Sequence, residues 1–200
     1  MTKKHTILTA INSKYIHSNL AVYCLRAYAK PYIDEVEIAE YTINQQVDDI
    51  LMSLYQKHPD ILCFSCYIWN ISFVRELAAE LKKVSPAVKI WAGGPEVSYA
   101  ANKFLEQNPA FDLIMQGEGE EVFSELIRFA LEDKPFVGEE NTNSTNYMDM
   151  LKLQKLQGIA IRDFSEKSAL EIGESSMESK SKIINTGSVS YTHLTLPTIL

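Results

Sequence analysis

Over its first 132 residues the chain repeats one pattern five times, a short run of β-type residues followed by a stretch whose apolar residues recur at helical spacing. Parallel strands need a long crossover between them, so strands alternating with helices build a parallel sheet covered on both faces. The strand runs are His5 to Ile11, Val36 to Thr42, Ile61 to Cys66, Val88 to Ala92 and Phe111 to Gln116. The third is almost continuously apolar, as a central strand buried on both faces requires.

The first helical stretch, Ser18 to Lys30, carries Leu20, Cys24, Ala27 and Tyr28 on its stripe, with Ser18 as N-cap and Pro31 as its end. Val47, Ile50, Leu51 and Leu54 stripe a second helix that stops before Pro59. Ile71, Val74, Leu77, Ala78, Leu81 and Val84 mark the third. A single short fourth helix runs through Val97, Ala100, Ala101, Phe104 and Leu105, and a fifth through Val122, Phe123, Leu126, Ile127 and Ala130. The expected fold is therefore a doubly wound α/β domain, with a five-stranded parallel sheet in the flavodoxin-like order 2-1-3-4-5.

That domain takes residues 1–132. Residues 133–155 open with a polar, turn-rich stretch from Asp133 to Asn146 and read as a linker or loop. Within 156–173, Leu156 to Asp163 and Ser168 to Gly173 are expected to pair as a β-hairpin around Ser165-Glu166-Lys167, attached to the main domain. Residues 174–200 are expected to be disordered, being Ser-, Glu- and Lys-rich from Glu174 to Lys182. The last 13, from Ser188, change abruptly to Thr, Leu and Pro without Lys, Arg, Asp or Glu. They read as a non-native, read-through tail, in which case the natural protein continues beyond Gly187.

Charge and cysteine usage exclude several classes. Nineteen basic against 26 acidic residues give a net charge of −7, and no Lys/Arg cluster is present to neutralise a phosphate backbone, so no nucleic-acid partner is expected. The apolar run Ile7 to Ile11 is too short for a signal-peptide core, and no span reaches the roughly 18 apolar residues of a membrane helix. Cys24, Cys63 and Cys66 are an odd set without framework spacing, which points to reduced thiols and a cytoplasmic location, with no membrane partner.

In an open α/β sheet, ligands bind beyond the carboxyl ends of the strands, so the loops there carry the candidate site. After strand one, Asn12 to Ser18 supplies Ser13, Tyr15 and His17; His17 is either a ligand to a metal-centred cofactor or a solvated residue at the helix start. After strand three come Ser65, Cys66, Tyr67, Trp69 and Asn70, where the aromatics offer a flat apolar ligand face or Trp69 covers the next helix. After strand four, Gly93-Gly94-Pro95-Glu96 joins two residues without Cβ to a fixed φ, which lets backbone approach a ligand closely. After strand five, the amides of Gly117-Glu118-Gly119-Glu120 suit amide, hydroxyl or ribose groups better than a phosphate, which the two carboxylates would oppose.

Other site chemistries on this fold do not fit. No GxGxxG follows the first strand and no GxxxxGK[ST] occurs. A phospho-acceptor domain needs carboxylates after strands one and three and a lysine after strand five; Asn12-Ser13, Ser65-Cys66 and Gln116-Gly117 stand there instead. Cys63 and Cys66 form a CxxC that ends a buried strand, with no second pair to complete a zinc site, and read as core cysteines.

As an ordered set, Ser13-Lys14-Tyr15-Ile16-His17-Ser18 with Leu20-Ala21-Val22, then Phe64 to Asn70, Gly93 to Ser98 and Gly117 to Glu121, resemble the N-terminal cobalamin-binding domain of cobalamin-dependent radical S-adenosylmethionine proteins. The resemblance covers about residues 5–132. It implies a corrin lying over the strand ends and a nucleotide tail running along the fourth and fifth strand-end loops. Ser65, Cys66, Tyr67, Trp69 and Asn70 would contact the corrin or its tail, with Ser13, Tyr15 and His17 beside them. Gly93, Gly94, Pro95 and Glu96 would pass along the tail, and Gly117, Glu118 and Gly119 would close the pocket.

Two departures qualify what the resemblance implies. The Asp-x-His-x-x-Gly motif that supplies an axial histidine in cobalamin mutases is absent, so cobalt is expected to bind without that ligand. The CxxxCxxC that holds a four-iron four-sulfur cluster is absent too, so cluster and S-adenosylmethionine belong to a missing C-terminal domain. The chain is thus expected to bind cobalamin and to present it to its own missing catalytic domain, without initiating radical chemistry alone. The missing histidine motivates an alternative, a cofactor-free docking or scaffold domain of the same enzyme; a flavin or nucleotide binder rests on the fold alone.

Overall fold

The computed structural model describes residues 4–14, 18–131, 156–162 and 182–187. Five parallel strands form its centre: β1 (Thr6–Asn12), β2 (Val36–Thr42), β3 (Ile61–Ser65), β4 (Lys89–Gly93) and β5 (Leu113–Met115). Two more, β6 (Ile159–Arg162) and β7 (Ile183–Asn185), continue the sheet antiparallel, giving the order β2-β1-β3-β4-β5-β6-β7. The doubly wound 2-1-3-4-5 core read from the sequence is present and extended at its β5 edge.

The helices are α1 (Leu20–Tyr28), α2 (Val47–Gln56), α3 (Ile71–Val84), α4 (Pro95–Ser98), α5 (Ala101–Gln107) and α6 (Glu120–Leu131). Strand alternation divides the core between them. Leu8, Cys63, Trp91 and Leu113 point to one face and pack with Val22 of α1 and Phe123 and Leu126 of α6. Ile7, Leu62, Phe64, Ile90 and Ile114 point to the other and pack with α2, α3 and α5 through Ile50, Leu54, Leu77 and Leu105. Each such fully buried aliphatic side chain contributes roughly 1.5–3 kcal/mol.

One expectation is corrected. The single short helix after Gly93-Gly94 is two, because Ala100 at φ −126°, ψ 43° breaks the helical path between α4 and α5. Near the C-terminal end β6 pairs antiparallel with Ile183–Asn185. Residues 168–173, the linker at 133–155 and the tail from Ser188 lie outside the described residues. Among the described residues no helix is long and apolar enough to cross a membrane.

Candidate functional site at the carboxyl edge

Parallel register sets the site. Ala10 pairs with Ser65 and Ser65 with Gly93, so three small residues form one row across β1, β3 and β4, facing α1 and α6. The row beneath it is Leu8, Cys63, Trp91 and Leu113, all buried. A row of small side chains above a row of large ones cannot fill the space under α1, and a cleft of about 210 Å³ results. Pockets that enclose a drug-sized ligand run to ~300–1,000 Å³, so this cleft suits one arm of a larger ligand, the remainder lying over the sheet edge.

The walls come from Ala21, Val22 and Leu25 of α1 on one side and from Gly117, Glu118 and Gly119 on the other. Gly117 takes φ +76°, a left-handed conformation that turns the chain off β5 into α6 without a Cβ penalty. A Cβ on Gly93 would stand 3.5 Å from Met115 Cε, an ordinary contact, so the protein itself does not require glycine there. The missing side chain instead keeps the cleft floor open.

Gly94 is glycine for a different reason. Its φ is +106°, and a Cβ would fall 2.4 Å from the carbonyl oxygen of Cys66. The β4–α4 turn is pressed onto the β3–α3 turn, where the Cys66 N–H donates to Gly93 O at 2.8 Å. Close backbone approach occurs here between two parts of the protein itself.

The β3–α3 turn is held by Asn70. Its side chain donates to Ile11 O at 3.0 Å and Ser65 O at 2.9 Å and accepts from the Tyr67 N–H at 2.8 Å, all within a fully buried residue. That bracket projects Tyr67 and Trp69 outward, where their rings stack at 4.5 Å between centroids and 5° between planes. Trp69 is 46% exposed, so a flat aromatic pair stands at the rim of the cleft with solvent on its outer side.

The sequence-read residues therefore separate into groups. Ser65, Tyr67, Gly93, Gly94, Gly117, Glu118 and Gly119 line the cleft. Trp69 stands beside it through its stack on Tyr67, while Pro95 and Glu96 are exposed in α4 outside the lining. Ser13 follows β1, half-buried, and Tyr15 and His17 lie outside the described residues. The side chains of Cys66 and Asn70 are buried, Cys66 in the core toward α3 and Asn70 in its bracket. Burial pushes the Cys63 and Cys66 thiols far above the usual cysteine range, so both remain protonated at neutral pH.

A polar network borders the cleft that the strand-end loops alone did not announce. Glu40 of β2 accepts from Asn12 Nδ2 at 3.0 Å, from the Asn19 N–H at 2.9 Å and from Tyr23 Oη at 2.6 Å. Asn19, not Ser18, caps α1 by accepting from the Ala21 N–H. Partial burial pushes the Glu40 carboxyl upward, but the donors from Tyr23, Asn19 and Asn12 outweigh it and hold the group below its ordinary range. Among the described residues no group of three or more His, Cys, Asp or Glu side chains is arranged to hold a metal ion.

Comparison with known proteins bears on the family and the fold. Over 117 residues the chain is 36% identical to the cobalamin-dependent radical SAM methyltransferase TokK of Streptomyces tokunonensis, covering 56% of this chain and 17% of that protein. Over 77 residues it is 38% identical to the 2-(S-pantetheinyl)-carbapenam-3-carboxylate methyltransferase of Streptantibioticus cattleyicolor, covering 38% of this chain and 11% of the relative. The matched stretches thus span under a fifth of these relatives. Among solved structures, the apo cobalamin-dependent S-adenosylmethionine radical enzyme OxsB superimposes with a TM-score of 0.57 at 17% identity, over 94% of this chain and 22% of the other, a likeness of fold. Residues 7–127 match the B12 binding domain, and the chain belongs to that family.

Proposed function

We propose that the chain seats cobalamin at the carboxyl edge of its sheet, with the nucleotide tail in the cleft beneath α1 and the corrin outside it against the Tyr67–Trp69 stack. The observation that carries this reading is the in-register row Ala10, Ser65 and Gly93, which opens a narrow slot between sheet and helix beside an exposed flat aromatic pair. The donor set agrees: hydroxyl, backbone amides and aromatic faces suit a neutral, amide-rich ligand better than a polyphosphate.

Within this arrangement Leu25, Val22 and Met115 exclude water from the slot, and the Gly117–Gly119 amides are free to meet polar atoms of the tail. Tyr67 and Trp69 supply a planar apolar surface and no ligand nitrogen, so the chain's share of the work is to bind and orient. When bound, cobalamin supplies a cobalt centre able to carry a methyl group. The same reading makes this chain the cobalamin module of a radical S-adenosylmethionine enzyme, whose iron–sulfur cluster and S-adenosylmethionine site reside in a further catalytic domain. The names of its relatives support that placement, as does the lack of a CxxxCxxC among Cys24, Cys63 and Cys66.

Mixing the purified protein with hydroxocobalamin and desalting it tests the reading. A corrin absorption band that co-elutes in near-stoichiometric amount is expected. A colourless protein fraction, with no heat of binding on titration, would reject it.

A further inference from the structure

Ser65 occupies the middle of the small-residue row, facing α1, and its hydroxyl meets the side chain of Asn19 at the start of that helix. Asn19 Nδ2 donates to Ser65 Oγ at 2.9 Å, and Asn19 Oδ1 accepts from the Ala21 N–H at 3.1 Å. The second bond fixes the first. A backbone N–H only donates, so the amide oxygen must face Ala21 and the amide nitrogen must face Ser65.

Asn19 is itself anchored. Its N–H donates to Glu40 Oε1, which also accepts from Asn12, while Tyr23 donates to the other oxygen of the same carboxylate. β1, β2 and α1 are thereby tied at one carboxylate, and the amide of Asn19 has little freedom to turn away. A hydroxyl that receives an N–H on its oxygen still has its own proton to give. Among the described residues that proton of Ser65 meets no acceptor, and Ser65 lines the cleft.

We infer that Asn19 is a positioning residue that sets the polarity of the cleft floor, holding Ser65 as a hydrogen-bond donor so that the cleft selects a ligand group that accepts there. The inference rests on the cobalamin reading above. On that reading the acceptor belongs to the nucleotide tail, whose phosphate, ribose and ring nitrogen all offer lone pairs. The corrin, outside the slot, is indifferent to Ser65.

Asn19→Asp is the direct test, because aspartate caps a helix as well as asparagine does but can only accept. The new carboxylate forces the Ser65 O–H to turn toward it, so that lone pairs face the ligand's lone pairs. Asn19→Ser retains a capping hydroxyl, drops the amide and leaves Ser65 free to rotate. Hydroxocobalamin affinity by calorimetry is expected to fall about tenfold or more in Asn19→Asp and only about two- to threefold in Asn19→Ser. Cobinamide, a corrinoid without the nucleotide tail, is expected to bind wild type and both variants alike. Adding Ser65→Ala to Asn19→Asp is expected to give the affinity of Ser65→Ala alone, since the reversed hydroxyl is then gone.

Wild-type protein that retains neither corrinoid overturns the cobalamin reading and this inference with it. Wild-type protein that binds cobalamin, while both Asn19 variants bind it equally well or lose cobinamide to the same degree, overturns the inference alone.

Discussion

The two ends of the sheet are built differently, and the contrast separates what holds the fold from what receives a ligand. At the amino end, charged side chains close directly onto backbone. Asp112, buried, accepts from the Ile90 N–H at 2.7 Å and from Lys82 Nζ at 2.9 Å, and Arg162 reaches the carbonyls of Leu105 and Phe111. Glu37 joins Lys57 and His5 across β2, β1 and the end of α2. At the carboxyl end the ties are mostly amides and hydroxyls, through Asn70, Asn19 and Ser65, and what they hold is a gap. One end is closed by charged groups; at the other, amides and hydroxyls bind turn to turn and leave the cleft beneath α1 open.

If that division holds, the largest effect on stability should come from the amino end. Asp112→Ala strands the buried Ile90 N–H and removes the carboxylate partner of Lys82, which keeps its bond to Val88 O, and a cost of about 3 kcal/mol is expected. Urea unfolding should show a lowered midpoint, while the fraction that remains folded binds hydroxocobalamin with wild-type affinity. Gly94→Ala is the case that crosses the boundary, since it sits at the carboxyl end but is glycine for packing. With φ at +106° and the Cys66 oxygen 2.4 Å from the added Cβ, about 2–3 kcal/mol of lost stability is expected. An unchanged melting temperature in that variant would show that the two turns are not pressed together as described.

Ala21→Phe probes the other class. Position 21 lies in the first turn of α1, half-buried and on the cleft wall, so a phenyl group there enters the slot without straining the backbone. A change in stability within about 1 kcal/mol is expected, together with a loss of hydroxocobalamin affinity of tenfold or more, which is about 1.4 kcal/mol. Equal affinity in calorimetric titration would remove the slot from the binding surface.

Much of this was legible in the residues, and the part that was not has definite causes. Strands and helices followed from periodicity, and the strand-end glycines and aromatics lie at the edge where the cleft opens. Register, by contrast, leaves no trace in a single strand, so the alignment of Ala10, Ser65 and Gly93 could not be seen. The α1 wall was missed because the apolar stripe was placed on Leu20, Cys24, Ala27 and Tyr28, of which Leu20 and Tyr28 are exposed, whereas Val22 and Leu25 face the sheet. The packing roles of Asn70 and Gly94 were not legible, since a polar residue or a glycine at a strand end looks the same whether it meets a ligand or packs one loop on another. Glu40 was overlooked because its partners are 17 to 28 residues away. β7, three residues long, carries too little pattern to be told from loop.

Glu40 gives the smallest effect and the sharpest check on the division, because among the described residues it is the carboxylate that ties the carboxyl end. Its folded-state carboxyl titrates lower than in the unfolded chain, so its contribution to stability is present above the ordinary carboxylate range and is lost as the pH falls through the lowered value. Tyr23 shifts the opposite way, upward through its hydrogen bond to Glu40, so its side of the contact holds until the pH rises beyond the usual tyrosine range. Between these limits the network is intact. The group is only partly buried, and screening keeps its worth below about 1 kcal/mol. Glu40→Gln should therefore lower the urea midpoint slightly at pH 7, and the gap from wild type should close once the pH has fallen through the lowered value, where the carboxylate of the wild type is also neutral. A gap that persists unchanged at acid pH would mean that the shape of the side chain, and not its charge, holds α1 to β2.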